Sequence, residues 1–338
     1  MREAMRARPA TAVAILLLLG TTVACNGAES RAEPAPPAVA SSIQRWKALA
    51  PATLQRTEVG AARIGRFIYV VGGFLPSAET TNAVELYDIE RDRWRRIAPM
   101  PNPVNHPAVT SYRGRLYVFG GYTDSSFAPV TGALQRYDPK SGSWTLLANA
   151  ARPRAAAALA ALPGKLYAIG GVAGADPLQG MEVYDLSRAR WSPGPSMKVA
   201  REHIAATVAG GEIYVFGGRT GSENLRAVER FDPDSGRWSR LAPLRTARSG
   251  IAAVTVRGRP VVFGGEELFS GGTTIRPVEI YEPESDRWRR LPGMRTPRHG
   301  LGGAVLGRRI YALQGGPSPG LAFSGEIEFL DLPRRLLR

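Results

Sequence analysis

Residues 113–144, RGRLYVFGGYTDSSFAPVTGALQRYDPKSGSW, decide the fold, because their order of features returns six times along the chain. A tight turn, Arg113-Gly114-Arg115, opens an apolar run from Leu116 to Phe119 that ends in the pair Gly120-Gly121. A variable loop follows, then an alternating run ending in Tyr137-Asp138, a polar turn, and Trp144. Glycine pairs ending the same kind of apolar run are Gly72-Gly73, Gly170-Gly171, Gly217-Gly218, Gly264-Gly265 and Gly315-Gly316, and with Gly120 the six first members lie 48, 50, 47, 47 and 51 residues apart in chain order. Trp46, Trp94, Trp144, Trp191, Trp238 and Trp288, all six tryptophans of the chain, keep the same beat. Tyr87, Tyr137, Tyr184, Phe231 and Tyr281 each precede their tryptophan by seven residues. Self-similarity at such a period means stacked supersecondary units. With 38 glycines and 27 prolines as punctuation, and no long helical periodicity between them, those units consist of short strands and tight turns.

The glycine pair, the strand Val84-Glu85-Leu86-Tyr87-Asp88 with its E-x-Y-D pattern, and the spaced tryptophan together resemble the kelch motif across residues 43–331. The resemblance implies an all-β, six-bladed kelch-type propeller with four antiparallel strands per blade around a channel. Glycines let the second strand bend where it meets its neighbours, and aromatics fill the wedges between blades. The sixth glycine pair is followed by Glu326-Ile327-Glu328-Phe329-Leu330-Asp331 but by no tryptophan, whereas Trp46 precedes the first pair. The segment around Trp46 is therefore expected to supply the outer strand of the last blade. That blade reads as irregular: the run Ile310 to Gln314 is one residue longer than its siblings, and Leu330 replaces the aromatic.

Outside the repeats, residues 1–24 carry Arg2, Arg6 and Arg8, then a short apolar run over 12–20, which reads as a secretory signal. The run is too short to span a bilayer as a mature helix, which takes about 20 residues. The lone cysteine, Cys25, follows Thr22-Val23-Ala24 and resembles a bacterial lipobox, although that family usually carries Leu where Thr22 stands. Ordinary cleavage near Ala24 is the other reading. Asn26 after the cysteine would favour passage to an outer membrane. Residues 25–42, rich in Ala, Pro, Ser and Glu, read as the anchor cysteine and a tether. At about 3.1 Å per residue, residues 26–42 reach roughly 50 Å. Residues 332–338 read as a short basic tail. A bacterial cell-envelope protein, lipid-anchored on the periplasmic or outer surface and monomeric, is the expectation.

The formal net charge is +15, nearly all of it arginine, which gives a mild bias toward anionic partners. One cysteine permits neither an intrachain disulfide nor a thiolate cluster, and three histidines make a conventional zinc site unexpected. The expectation is therefore no metal and no cofactor. Function is expected on the variable loops at 74–82, 122–133, 172–180, 219–226, 266–277 and 317–325, since loops on a rigid scaffold carry it. Sixteen residues before the glycine pairs stand Arg56, Arg154, Arg201 and Arg248, with Arg298 joining once the last unit is shifted, and Val104 in the second unit. These arginines, with Arg219, form a candidate ligand-binding rim, since each can grip a carboxylate or sulfate. Arg219 directly follows the fourth pair, and Glu266-Glu267 after the fifth could join it. The alternative is structural, because kelch repeats often carry a Pro-Arg pair here, as at Pro153-Arg154 and Pro297-Arg298.

Fourteen residues before their pairs stand Glu58, His106 and His203, with His299 one step off. Such a set at a channel mouth could do acid–base work, or could serve packing alone. No phosphate loop or H-E-x-x-H is present. Copper oxidases similar to galactose oxidase need a Cys–Tyr crosslink, which one cysteine at the export site cannot supply. The leading expectation is a binding module for a protein or an anionic glycan. The alternative is an enzyme resembling the sialic acid mutarotases, with the arginines on the sugar carboxylate. Nucleic-acid binding is not expected of an exported chain.

Overall fold

The turns of each unit explain why it folds into a four-stranded antiparallel sheet. Between inner and second strands a glycine takes a left-handed conformation, as Gly114 does at φ 74°. Between third and fourth strands the aspartate of the E-x-Y-D pattern closes an Asx turn. Asp138 Oδ1 accepts from Lys140 N at 3.0 Å, and Asp232 Oδ1 from Asp234 N at 2.9 Å. The computed structural model describes residues 45–336, so the expected signal, Cys25 and the tether lie outside the described residues.

Six blades result. Blade 1 is Gly60–Ile64, Phe67–Val71, Val84–Asp88 and Arg93–Ile97, and blade 2 is Ala108–Tyr112, Arg115–Phe119, Leu134–Asp138 and Ser143–Leu147, each hydrogen-bonded in chain order. Blades 3 and 4 repeat the pattern over residues 158–194 and 205–240. Blade 5 has longer first strands, Ser249–Val256 and Arg259–Glu267. Blade 6 is Gly302–Leu306, Arg309–Leu313 and Ile327–Asp331, closed by the N-terminal strand Lys47–Ala48. Lys47 pairs with Phe329 and Ala48 with Glu328.

The core is a series of wedges between blades. Phe119 and Leu134 of blade 2 pack on Leu159 and Ala168 of blade 3, for example. The seven-residue aromatic spacing places each aromatic directly across its hairpin from the tryptophan, as Tyr87 lies opposite Trp94 with ring centroids 5.0 Å apart. Each indole N–H then reaches the chain just past the outer strand of the preceding blade. Trp94 donates to Ala50 O, Trp144 to Ala98 O, Trp191 to Ala148 O, Trp238 to Pro195 O and Trp288 to Ala242 O. Trp46 donates to Pro292 O at 2.9 Å and completes the ring.

Two boundaries differ from the sequence expectation. The second strand of blade 6, Arg309–Leu313, has five residues like those of blades 1 to 4. Gln314 at φ 54° takes the place of the first glycine. Its successor Gly315 donates to Arg56 O, as Gly265 donates to Arg298 O. The working pair is thus Gln314-Gly315. The described part of the expected tail, residues 332–336, packs on the domain: Leu332 is fully buried, and Leu336 packs on the same cluster as Trp46 and Leu330.

Candidate functional site

The five repeated arginines do not line a rim; Arg56, Arg154, Arg201, Arg248 and Arg298 are buried inside the blades, at most 1% exposed. Each pairs with the glutamate of its own third strand. The ion pairs are Arg56–Glu85 at 2.9 Å, Arg154–Glu182 at 2.5 Å, Arg201–Glu229 at 3.2 Å, Arg248–Glu279 at 2.6 Å and Arg298–Glu328 at 2.6 Å. The guanidiniums also donate to carbonyls where the second strand bends. Arg201 Nη1 bonds Gly217 O at 2.8 Å and Ala227 O at 3.0 Å. The glutamates accept backbone N–H groups, as Glu229 does from Lys198 and Val199. Burial lowers Arg56, Arg201 and Arg248 to about 10 despite their glutamates. Buried and held by glutamates and carbonyls, these arginines present no donor at the surface for an outside anion. The signal that could have shown this lies in the repeats themselves: blade 2, which has Val104 for the arginine, has Gln135 for the glutamate.

Two positions further along, the chain enters the channel. Glu58, His106, Ala156, His203, Gly250 and Gly300, one residue per blade, share a left-handed φ between 50° and 62°. Backbone bonds link them around the mouth. His106 N donates to Glu58 O, Ala156 N to His106 O, His203 N to Ala156 O, Gly250 N to His203 O and Gly300 N to Gly250 O. Val59 N donates to Gly300 O and closes the circle. Glycine takes this conformation readily, whereas Glu58, His106 and His203 hold chemistry-bearing side chains there at a backbone cost.

The residue just before each ring position pairs with the residue after the glycine pair, which carries the loops to the same face. Asn105 faces Tyr122, Glu202 faces Arg219 and His299 faces Gly316 as isolated bridges, and Ser249 pairs with Glu266. In this frame His299 is the counterpart of Asn105 and Glu202, one position before Gly300. The expected Glu58, His106, His203 and Arg219 thus meet at one mouth, joined by Asn105, Glu202, Glu266 and His299. Glu267 instead caps its own loop, accepting from Phe269 N and Ser270 N. Asn105 and Glu202 escaped the sequence reading because glutamate and asparagine at single positions of a repeat carry no periodic signal.

The contacts at the mouth are specific. His106 Nε2 lies 3.3 Å from Glu58 Oε2, and His299 Nδ1 lies 3.1 Å from Glu58 Oε1. Arg219 bonds Glu202 Oε1 through Nε, Glu266 Oε1 through Nη1 at 3.1 Å and His203 Nε2 through Nη2 at 3.2 Å. Burial drives His106 down to about 3, against the opposing pull of the Glu58 charge. Burial also opposes a charged His299, but its hydrogen bond to Glu58 and the Glu58 and Glu266 charges outweigh it and raise its pKa. Burial pulls the Glu58 carboxyl up, and its pairing with the His106 imidazole, the hydrogen bond from His299 and the nearby His203 override it and bring it well below the usual carboxylate range. Beyond the ring the channel is lined by small residues of the inner strands, such as Ala61, Ala160, Ala206 and Gly303. Perturbed titratable groups converging at a mouth mark a candidate site.

Around that mouth the loops carry exposed apolar side chains. Phe127 is 49% exposed, Leu268 39%, Phe269 41% and Leu321 54%, four of the six exposed large apolar residues among the described ones. Phe127 rests on His106, Phe74 and Tyr122 with ring centroids 5.5–5.8 Å away. The loops bearing Phe269 and Leu321 touch each other, with Thr274 Oγ1 donating to Pro317 O at 3.1 Å.

Among known proteins, the family profile for the Attractin/LZTR1 β-propeller matches residues 39–223, more than half of the chain, and that for the Kelch motif matches residues 247–295. The Kelch-like protein terF of Aspergillus terreus is 34% identical over 120 residues, 33% of this chain and 24% of that protein. Kelch repeat and BTB domain-containing protein 12 of Danio rerio is 35% identical over 85 residues, 24% of this chain and 14% of that protein. The matched segments thus span at most about a quarter of these relatives. The solved structure of YjhT superposes with a TM-score of 0.73 at 17% identity, covering 84% of this chain and 97% of that one, a likeness of fold.

Proposed function

The chain belongs to the kelch-repeat β-propeller family, and from that premise we propose that it is a recognition module holding a protein partner on its loop face. The observation that carries this reading is the distribution of exposed apolar side chains. Phe127 stands on blade 2, and Leu268, Phe269 and Leu321 stand on blades 5 and 6 across the mouth. Aromatic anchors flanking a polar centre are what a protein interface uses, whereas isolated surface hydrophobics need no explanation. A protein is favoured over an anionic glycan because the five arginines that would have held sulfates or carboxylates are paired inside the blades. In this reading the chain is exported, lipidated at Cys25 and held off the bacterial envelope by residues 26–42.

The test compares capture of crosslinked envelope proteins by the wild type, by a Phe127→Ser/Phe269→Ser/Leu321→Ser variant, and by Leu306→Ser on a turn of the opposite face. Capture by the wild type and the Leu306 variant, lost in the triple variant, supports the reading. Capture unchanged in the triple variant overturns it. Binding of sialylated or sulfated glycans that Arg219→Ala abolishes would put an anionic sugar in the protein's place. Cys25→Ser, by moving the chain to the soluble fraction, checks the anchor.

A second reading, acid–base catalysis on a sugar in the manner of a sialic acid mutarotase, draws on the convergence of Glu58, His106 and His203. Sialic acid anomer exchange at the uncatalysed rate, followed by NMR, removes it.

A further inference from the structure

We propose that the channel mouth is a divalent-metal site, with His106 Nε2, His203 Nε2 and a carboxylate oxygen of Glu58 as ligands and zinc as the ion its chemistry favours. Two imidazoles and a carboxylate are a familiar zinc donor set, and three protein ligands leave a fourth position open. One donor atom from each of the three residues already lies within 4.8 Å of the others. The 3.3 Å between His106 Nε2 and Glu58 Oε2 matches the edge of a tetrahedron with bonds of about 2.0 Å.

Outer partners orient both histidines for this role. Asn105 Nδ2 donates to Thr80 Oγ1 at 2.7 Å and to Asp124 O at 2.9 Å, which fixes its Oδ1 as the atom facing His106 Nδ1 at 2.6 Å. His106 Nδ1 therefore carries a hydrogen, which leaves Nε2, facing Glu58, as the nitrogen that would ligate. His203 Nδ1 bonds a carboxylate oxygen of Glu202, and its Nε2 accepts from Arg219. Amide–histidine and carboxylate–histidine pairs of this kind fix the tautomer and aim the ligand nitrogen.

A second observation points the same way. His106 Nε2 and Glu58 Oε2 face each other at 3.3 Å, with both side chains largely buried. A cation between them would bond to both atoms at once. Nearby, Glu202 and Glu266 share the guanidinium of Arg219, while Glu58 is met by histidines. Ala156 between the two histidines, and Gly250 and Gly300 on the other side of the ring, add no long side chain to the mouth. Arg219 is the competitor: its Nη2 must leave His203 for the ion to bind, and its side chain, 17% exposed, has room to swing.

The experiment titrates zinc alone into the untagged, chelator-treated full chain carrying Cys25→Ser, by calorimetry, and repeats it with cobalt(II) to read tetrahedral coordination by visible absorption. One ion per chain is expected. Arg219→Met binds about tenfold more tightly, His106→Gln and Glu58→Gln lose binding, and Glu202→Gln weakens it about 10–100-fold through His203. Near-UV circular dichroism of the metal-free variants shows that they remain folded. Absence of binding in both the wild type and Arg219→Met overturns the proposal, as does zinc affinity unchanged by His106→Gln and Glu58→Gln. Zinc is measured without any protein partner, so the outcome stands apart from whether one docks on the loops.

Discussion

Val104 and Gln135 occupy in blade 2 the places that arginine and glutamate occupy in five others, and the paired change shows what the five arginines do. A guanidinium inside a blade is tolerable while a carboxylate and carbonyls surround it, and a buried carboxylate becomes a liability once the guanidinium goes. Removing one partner of such a pair costs about 3–5 kcal/mol, whereas replacing both with groups that fit is far cheaper. We expect Arg201→Val alone to destabilise by that amount and Arg201→Val/Glu229→Gln to recover at least about half of it, measured by urea unfolding. A double variant no more stable than the single would show that the pair is not the unit. The arginines were visible in the sequence and their depth was not, since a sixteen-residue spacing is the same whether a side chain points up to solvent or in among carbonyls. Gln314 escaped for a similar reason. Its neighbours spell the glycine pair, and only its φ of 54° and its bonds to Leu54 O and Glu85 Oε2 reveal it as the residue at the bend.

At the scale of the element, the closing strand is the weakest joint. Only Lys47 and Ala48 form it, extended by Leu49 N to Ile327 O and Ala52 N to Gly325 O. Most of its grip comes from Trp46, which is 5% exposed, packs against Phe263 and Leu330, and bonds Pro292 O. Truncating a buried tryptophan to alanine costs about 3–5 kcal/mol. Trp46→Ala should therefore lower the thermal midpoint by several degrees, and deletion of residues 43–50, which exposes the edge of Ile327–Asp331, by more. An unchanged midpoint in the deletion would sink this account of closure. The closure itself was legible, because an unpartnered tryptophan at one end and a strand without one at the other have a single way to meet.

For the whole molecule, the interblade wedges set the response to alkali. Burial raises Tyr69 and Tyr122 to about 12, with smaller help from Tyr137 and Glu202 respectively, and raises Tyr87 and Tyr281 still further. A tyrosine titrates near 10 when exposed. With folded pKa values above unfolded ones, their contribution to stability is complete below pH 10 and is lost as pH rises toward 12. Tyrosinate absorbance should therefore appear together with the loss of near-UV circular dichroism; titration of these four tyrosines with the fold intact would contradict it. By itself the sequence determined the number of blades, their order and the way the ring shuts, because glycine pairs, aspartate turns and tryptophans act through local geometry that repeats with the chain. Only the tertiary structure decided which charged residues are interior pins and which face the channel, because burial depends on what other blades bring to a residue. Arg201 and His203 stand two positions apart, and one is locked under carbonyls while the other lies at the mouth beside Arg219.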